Sequence, residues 1–267
     1  MGLGRRLSRK ARTFGFDTIL FRQALRGLGP YRADQRAFLA QRSAAGDETF
    51  AIGRPFPCLA DRDEPSGAAS GHYFHQDLLV AQLIRAAHPR RHIDVGSRVD
   101  GFVAHVAVFR DIEVFDVRPL STDAAGITFR QQDLMRLDAG QIACTDSLSC
   151  LHTLEHFGLG RYGDPIDYDG HNKGFTNLAA MLAPGGTLYF SVPISRRQRF
   201  EFNAHRVFAL PYLTAMIAAA GLAVAGFHYV DDQGRLHRDT PWRGEAATGT
   251  FGLDYGCGIF VLTKPAL

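Results

Sequence analysis

The sequence has few cysteines, and their spacing fits no familiar site. Only four occur among 267 residues, with no CxxC pair and no regular interval between them. This argues against a zinc ribbon and against a scaffold of disulfide bonds, since both need closely spaced pairs. Because chains without disulfides are typical of reducing compartments, we expect a cytoplasmic protein.

The chain also lacks a hydrophobic run that predicts a transmembrane span. The longest candidate, 210–230, has no formal charge and is long enough to cross a bilayer. However, Pro211 suits the first turn of a helix and Gly221 suits its end, and β-branched and aromatic residues follow. The segment therefore predicts a helix, a glycine stop and a buried strand.

Lysine is scarce, and the basic charge is unevenly distributed. Three of the thirty basic residues are lysine, a bias that we attribute to coding preference. Residues 1–42 carry ten basic and two acidic side chains, whereas the remainder carries twenty basic and twenty-five acidic ones. An acidic body argues against clamping of a nucleic-acid backbone, so no nucleic-acid partner is expected.

The N-terminal segment combines basic charge with apolar residues. No apolar run of signal-peptide length follows the basic stretch 5–12. The spacing of apolar residues over 14–28 predicts an amphipathic helix. Such a helix packs on its own domain, packs on a second subunit in a homodimer, or rests peripherally on an anionic membrane surface. We expect a basic helical extension and connector over 1–71, followed by one domain over 72–267.

Strand-like and helix-like segments alternate within that domain. This alternation predicts an α/β fold, with a Rossmann-like, mostly parallel sheet and helices on both faces. Ligands of such sheets bind beyond the carboxyl ends of the strands, where the strand order reverses. The predicted strands are 92–95, 112–116, 127–130, 147–151, 187–192, 222–230 and 258–263, and the predicted helices are 74–87, 101–109, 171–183 and 210–220.

Acidic residues follow the first three predicted strands. The first strand ends in Asp94-Val95-Gly96, and the glycine lets a ligand approach the backbone closely. Asp116 ends the second strand, where an acid accepts hydrogen bonds from the ribose hydroxyls of an adenosine cofactor. Asp133 follows the third strand and could receive an adenine amino group. Each acid taken alone is also explained as a helix N-cap.

The order of these motifs, over about 74–267, resembles that of class I S-adenosylmethionine-dependent methyltransferases. Two further motifs carry the resemblance: Leu154-Glu155-His156 after the fourth strand, and the segment 182–188 (LAPGGTL) before the fifth. More narrowly, 71–78 (GHYFHQDL), 92–98 (HIDVGSR) and 201–208 (EFNAHRVF) resemble a little-characterised bacterial family of methyltransferase-like proteins. The resemblance implies a seven-stranded sheet with an antiparallel last strand, and S-adenosylmethionine as cofactor.

The resemblance also implies roles for individual residues around that cofactor. The helix before the first strand often closes over the cofactor in this superfamily. The cofactor residues that it implies are Tyr73, His75 and Gln76 in that helix, Asp94 and Gly96 with Ser97 at the methionine part, Asp116 at the ribose, Asp133 and Leu134 at the adenine, and His152 beside the cofactor.

One departure from the superfamily pattern concerns the glycines after the first strand. The usual second glycine is replaced by Arg98, and the frequent third glycine by Asp100. Arg98 bends outward, grips the cofactor carboxylate with its guanidinium, or blocks the site. Blocking would favour an alternative function, a non-catalytic protein that binds S-adenosylmethionine or a nucleotide on a degenerate methyltransferase fold.

Methyl transfer to a hydroxyl needs a group that removes a proton, and histidine suits this task. His156 and His205 fall at the correct end of the sheet, with Glu155 nearby, so we expect one of the two to be the general base. Each is alternatively a structural histidine. Glu155 and His156 with another acid could hold a divalent cation, but such proximity is common without one, so no metal site is expected.

Two polar segments at the same end indicate the acceptor. The loop 158–173 is long, and 196–206 is rich in arginine. Their side chains suit a small polyhydroxylated acceptor such as a sugar or glycan, unless the loop is merely closed by its own hydrogen bonds. The PGG and LEH motifs favour methyl transfer, which we expect to be O-methylation, over chemistry with another nucleotide such as NAD. The predicted acceptor residues are Arg161, Tyr162, Asp164, Asn203 and Arg206.

Overall fold

The computed structural model describes residues 11–46, 49–242, 249 and 251–266. The chain divides into two compact units, Met1–Ala68 and Ala69–Leu267. In the first unit, helix α1 spans Thr18–Ala45 and is followed by a short 3-10 turn at Asp61–Asp63. The part of the chain that the structure describes contains no helix with the length and apolar character of a membrane span.

Helix α1 differs from the predicted helix over 14–28. The carboxylate of Asp17 caps its start by accepting hydrogen bonds from the backbone of Ile19 and Leu20 at 2.8 and 3.2 Å. The helix continues through Pro30, because the residues that follow are mostly alanine, arginine, glutamine and leucine, which favour helix. Gly46 then ends it in the left-handed conformation.

The second unit consists of a β-sheet with helices on both faces, which confirms the predicted α/β fold. Its strands are β1 (His92–Val95), β2 (Ile112–Asp116), β3 (Ile127–Gln131), β4 (Thr145–Leu151), β5 (Leu182–Ile194), β6 (Arg199–Glu201), β7 (His205–Val207), β8 (Ala223–Val230), β9 (Leu236–His237) and β10 (Gly256–Thr263). Its helices are α2 (His72–Ala87), α3 (Ala104–Ala107), α4 (Gly170–Met181) and α5 (Leu210–Ala219).

The large sheet has the strand order β3-β2-β1-β4-β5-β10-β8-β9. Strands β1 to β5 pair in parallel, and β10 runs antiparallel to both β5 and β8. The chain adds strands on one side of β1 and then crosses to the other side, so the order reverses between β1 and β4. The seven predicted strands are present, and the two-residue β9 adds an eighth at the edge. Strands β6 and β7 form a separate hairpin.

Each face of the sheet carries its own apolar core. On one face, Leu79 and Ile84 of α2 pack with Val106 of α3. On the other, Phe175 of α4 and Leu213 of α5 pack on the strands. Both faces of the central strands are therefore covered, and the polar side chains that these strands bury are paired with one another, as His92 of β1 is with Ser147 and Ser149 of β4.

Two local predictions differ from the structure. The helix predicted over 101–109 is a π-type turn at Val99–Val103 followed by the short α3, since Gly101 has a non-helical backbone. The predicted helix stop at Pro184-Gly185-Gly186 lies inside β5, because the backbone of these glycines exchanges hydrogen bonds with Lys264 at 2.9 Å and extends the sheet.

Candidate functional site

A cavity of about 360 Å³ opens beyond the carboxyl ends of β1, β2, β3 and β4, where the strand order reverses. Its volume falls in the range of about 300–1,000 Å³ that is typical of small-molecule sites. The predicted site residues that line it are Tyr73, Gln76, Gly96, Ser97, Arg98, Asp116, Asp133, Leu134, His152, His156, Arg161, Tyr162 and Asp164. Those that the structure describes but does not bring to its wall are His75, Asp94, Glu155, Asn203, His205 and Arg206.

Gly96 lies in the cavity wall and packs closely against Thr153. Its φ is +73°, and its backbone N–H donates to the carbonyl of Phe115 at 2.8 Å. A Cβ added at this position would lie 2.2 Å from Cγ2 of Thr153. Both the left-handed backbone and the close approach therefore require glycine here.

Asp94 lies beneath the loop after β1 and does not reach the cavity. Its carboxylate accepts hydrogen bonds from the backbone and hydroxyl of Ser97 at 3.0 and 2.8 Å, and from the hydroxyl of Ser149 at 2.6 Å. Burial raises its pKa to about 6 despite these bonds. The predicted contact of Asp94 with the methionine part of a cofactor is thus replaced by a role in joining β1 to β4.

The arginine that replaces the second glycine is turned outward. Arg98 donates to both carboxylate oxygens of Asp100 at 3.0 and 2.7 Å, and its side chain is 69% exposed. Its backbone has ordinary extended angles, so this position needs no glycine. Of the three possibilities for Arg98, the structure matches the outward orientation.

A different arginine occupies the end of β2. Arg118 donates to both oxygens of Asp116, and its Nη2 lies 3.5 Å from the carbonyl oxygen of Gly96. Its guanidinium stacks over the ring of Tyr162 at 4.6 Å. The carboxylate predicted to hold a ribose therefore already has a cationic partner.

The residues that follow β3 form a turn that lines the cavity. The carboxylate of Asp133 accepts a hydrogen bond from the backbone of Met135 at 2.9 Å. The side chain of Asn177 donates to the carbonyl of Leu134 at 2.8 Å. Asp133 thus combines a turn-forming contact with a place on the cavity wall.

Helix α2 contributes a narrow arc of side chains to the site. Tyr73, Gln76 and Asp77 line the cavity, and Gln76 accepts a hydrogen bond from the hydroxyl of Ser191 at 2.6 Å. His75 lies outside this arc, because its direction around the helix differs from those of Tyr73 and Gln76. The expected lid contact of His75 is therefore absent from this structure.

His152 and Glu155 form a buried pair just after β4. Nδ1 of His152 lies 2.8 Å from Oε1 of Glu155, and His152 has a left-handed backbone with φ +49°. Burial by itself lowers the pKa of His152. The neighbouring Cys257 and Glu155 raise this pKa by more than burial lowers it, so it lies well above its ordinary value. Glu155 is 1% exposed, so it positions His152 and does not face the cavity.

His156 reaches the cavity with a defined ring orientation. Its Nδ1 lies 2.6 Å from the carbonyl oxygen of Ala204, so we assign the proton to Nδ1 and the lone pair to Nε2. Burial lowers its pKa, which keeps the imidazole neutral at pH 7. The ring packs edge-on against Tyr162 at 5.5 Å, and Arg161 also donates to Ala204.

His205, the other predicted base, does not line the cavity. It starts β7, and its ring lies 6.4 Å from that of His156 and 5.5 Å from that of Tyr255. Its Nε2 is buried without a hydrogen-bond partner in the described parts of the chain. A base has to reach the acceptor directly, so the geometry favours His156 over His205.

Three of the predicted acceptor residues lie outside the cavity or are engaged in internal hydrogen bonds. Arg206 is buried and donates to the backbone carbonyls of Phe157 and Tyr168 at 2.6 and 3.1 Å, so it holds the loop after β4. Asn203 is exposed on the β6–β7 hairpin. Asp164 lines the cavity, but its carboxylate accepts from backbone N–H groups of its own loop at 2.9–3.2 Å. Loop closure by internal hydrogen bonds is therefore a large part of its role.

No role is predicted from the sequence for Arg118, His72 or Cys257. Arg118 carries a local signal, since an arginine two residues after a carboxylate can turn back onto it. His72 and Cys257 lie beside His152, although the three residues are far apart in the chain. No local pattern predicts that meeting.

Comparisons with known proteins agree with this architecture. The family model described as "Caenorhabditis protein of unknown function, DUF268" matches residues 139–235. It does not support the expected bacterial family, which stays a prediction. No curated protein matches the chain in sequence.

Solved structures show the same fold at low sequence identity. A Galdieria sulphuraria protein assigned as a sarcosine dimethylglycine methyltransferase has a TM-score of 0.52 at 12% identity, covering 73% of this chain and 85% of its own. The Burkholderia thailandensis 1,6-didemethyltoxoflavin-N1-methyltransferase, solved with S-adenosylhomocysteine, has 0.50 at 16%, covering 89% and 90%. The cyclase SpnF has 0.50 at 16%, covering 72% and 81%. The chain thus has the class I methyltransferase fold, a fold that these proteins use for more than one reaction.

Proposed function

We propose that this chain is an S-adenosylmethionine-dependent methyltransferase that acts on a hydroxyl of a small polar acceptor, such as a sugar or glycan. The observation that carries the proposal is the neutral His156, with an oriented lone pair, in the wall of a cavity that also holds Gly96 and Asp116. A cofactor site and a candidate base thus share one cavity at the switch point of the sheet.

The residues present fit an adenosine cofactor. Gly96 lets a ligand pass close to the backbone, and Asp116 and Asp133 present carboxylates at the ends of β2 and β3. Arg118 would have to share or release the Asp116 carboxylate, which is 11% exposed. The Arg118 side chain is 41% exposed and can turn toward solvent, so this rearrangement is compatible with binding.

The chain's own part in the reaction is alignment and proton removal. Bound S-adenosylmethionine supplies an electrophilic methyl group on a positively charged sulfur. Nε2 of His156 accepts the proton of the acceptor hydroxyl, while the carbonyl of Ala204 holds the ring through Nδ1. Glu155 lies 3.9 Å from Nε2 of His156 and favours the positive charge that His156 then carries.

The proposed acceptor class rests on Arg161 and Tyr162. The guanidinium of Arg161 stacks over the Tyr162 ring at 5.1 Å, and the phenol ring is 36% exposed. Guanidinium donors held against an aromatic ring suit a small molecule with several hydroxyls. This replaces the larger acceptor set predicted from the sequence, because Arg206 and Asn203 are placed elsewhere.

Calorimetric titration with S-adenosylmethionine and S-adenosylhomocysteine tests the cofactor. We expect micromolar binding by the wild type and at least a tenfold loss in Asp116→Ala. Asp123→Ala is the matched control, because Asp123 is exposed in the next loop and outside the cavity. A folded wild-type protein that binds neither molecule would contradict the proposal.

Transfer of a labelled methyl group tests the reaction. The protein is incubated with labelled S-adenosylmethionine and a panel of sugars, matched with deoxy sugars that lack single hydroxyls. We expect label on the sugars and its loss when the accepting hydroxyl is absent. Label on amines in place of hydroxyls would show that the acceptor class is wrong.

A non-catalytic binding protein is a second candidate function. The observation that favours it is the Arg118–Asp116 pair, which competes with a ribose for the carboxylate. This candidate predicts cofactor binding without transfer to any acceptor. Binding together with transfer that depends on His156 would exclude it.

A further inference from the structure

A cluster of potential metal ligands lies beside the cavity. His72 at the start of α2, His152 after β4 and Cys257 in β10 each offer one ligand atom, and these atoms all lie within 4.8 Å of one another. The rings of His72 and His152 stack with centroids 5.2 Å apart and an angle of 11° between their planes. Cys257 is fully buried. Three separate elements of the fold therefore converge on one point.

A second, independent observation indicates a missing ligand at this point. His152 is 8% exposed, and its Nε2 is buried without a hydrogen-bond partner among the residues that the structure describes. Leaving a buried polar atom without a partner destabilises the folded state, so proteins seldom retain one without a reason.

The other nitrogen of the same ring is held as in metal-binding histidines. Nδ1 of His152 is hydrogen-bonded to Glu155 at 2.8 Å. Metal-ligating histidines commonly donate one ring N–H to a carboxylate, which directs the remaining lone pair at the metal. Glu155 therefore has the position of an outer-shell partner for a cation bound at Nε2.

We propose that His72, His152 and Cys257 form a binding site for one zinc(II) ion, with three protein ligands and one open position. Imidazole nitrogen and thiolate sulfur are preferred ligands of zinc, whereas magnesium and calcium prefer oxygen. Ligand atoms around tetrahedral zinc lie roughly 3.5 Å apart, so the site is completed by side-chain shifts of about 1 Å together with a rotation of the exposed-side ring, His72, out of its stack on His152. This proposal revises the sequence-based expectation that the chain has no metal site.

The site would place its ion at the wall of the proposed reaction cavity. His152 itself lines that cavity, four residues before His156 in the chain. The zinc proposal stands apart from methyl transfer, because it depends on the three ligands and not on any cofactor. A protein without methyltransferase activity can still bind zinc here, so the two proposals can fail separately.

Zinc titration of the full-length protein tests the proposal. The protein is stripped with a chelator and titrated with zinc(II) against a chromophoric competitor, and bound zinc is counted by elemental mass spectrometry. We expect one zinc per chain, with affinity lowered more than 100-fold in His72→Gln and in Cys257→Ala. Glu155→Gln should cost roughly 10–100-fold, as expected for an outer-shell partner. Zinc should also raise the thermal midpoint of the wild type but not of Cys257→Ala.

Two variants control for histidine and cysteine content. His75→Gln changes a histidine of the same helix outside the cluster, and Cys150→Ala changes another buried cysteine. Both should bind zinc like the wild type. Circular dichroism checks that each variant is folded. If Cys257→Ala does not fold, the zinc affinity of His72→Gln, whose substitution lies at the start of a helix, tests the proposal instead. The absence of stoichiometric zinc in the wild type, or wild-type affinity in both ligand variants, would overturn the proposal.

Discussion

The guanidinium of Arg118 holds the carboxylate of Asp116 at two points, with Nε to Oδ1 at 3.0 Å and Nη2 to Oδ2 at 2.5 Å. Asp116 is the residue expected to accept the ribose hydroxyls of a cofactor. A cofactor bound as proposed would therefore share this carboxylate with Arg118 or displace it.

Removal of Arg118 should tighten cofactor binding. Arg118→Ala leaves the Asp116 carboxylate free to accept the ribose hydroxyls, so it is expected to raise affinity for S-adenosylmethionine by at least about fivefold, which corresponds to about 1 kcal/mol. Calorimetry measures the change, with Arg136→Ala as the control, since Arg136 does not line the cavity. Weaker binding would mean that Arg118 is itself a ligand-binding residue.

Replacement of His156 should affect turnover and not cofactor affinity. His156→Gln is expected to lower kcat roughly 10²–10⁴-fold, the usual contribution of a general base, while binding of S-adenosylhomocysteine is unchanged. His237→Gln, at the far edge of the sheet, should retain full turnover. Full activity of His156→Gln would remove this residue from the mechanism.

The rate should also depend on pH through His156. Burial lowers the pKa of His156 below its usual 6.5, and the neutral ring is the base. Turnover should therefore be constant near pH 7 and fall only as the pH drops below 6.5 through that lowered pKa. A rate that declines on raising the pH from 6 to 8 would contradict the assignment.

Asp94 should make the protein less stable as the pH rises. Its folded pKa of about 6 lies above the value of 3.8 in the unfolded chain, so the folded state binds this proton more tightly. Its stabilising contribution is complete below pH 3.8 and is lost as the pH rises through 6, by about 3 kcal/mol. Urea unfolding of wild type and Asp94→Asn at pH 4 to 7 measures the difference. A difference that is independent of pH would disprove the raised pKa.

Gly96→Ala should destabilise the protein more than a positive φ alone explains. Gly185 provides the control, because its φ is +77° and an added Cβ there meets nothing within 4 Å. Gly185→Ala should cost about 1 kcal/mol, and Gly96→Ala roughly 3 kcal/mol or more, through contact with Thr153. Thr153→Ser removes the contacting methyl and should restore part of the loss in the double variant. An equal loss of unfolding free energy in Gly96→Ala and Gly185→Ala would show that the protein relieves the contact between the new Cβ and Thr153.

Arg206 should contribute to stability rather than to acceptor recognition. Arg206→Ala leaves the carbonyls of Phe157 and Tyr168 without a donor and should lower the free energy of unfolding by about 2–4 kcal/mol. Arg197→Ala, at an exposed position of the same segment, should change it by less than about 0.5 kcal/mol. An Arg206→Ala protein of wild-type stability with a raised KM for the acceptor would restore the sequence-based role.

The bounds of the central strands could be predicted from the sequence more closely than the set of residues that line the cavity. Strands β1 and β2 have the predicted bounds, because short β-branched runs between turn residues are local signals. The N-terminal helix was predicted too short, since a proline inside a long helix is compatible with strong helix formers on both sides. The sequence predicts a ligand role for Asp94 because this residue lies at the end of a strand. It cannot show that both carboxylate oxygens of Asp94 already accept hydrogen bonds from Ser97 and Ser149.

The amino-acid sequence by itself determined the α/β alternation and the acids at the ends of β1, β2 and β3, since each depends on a few neighbouring residues. The need for glycine after β1 also depends on the contact with the distant Thr153. Tertiary structure alone decided which of these groups face the cavity and which are consumed by internal hydrogen bonds, as with Asp94 and Arg206. It also decided that His72, His152 and Cys257 meet, because that depends on how α2, β4 and β10 are placed around one sheet. Local sequence sets backbone conformation, but contact between distant side chains is set by packing.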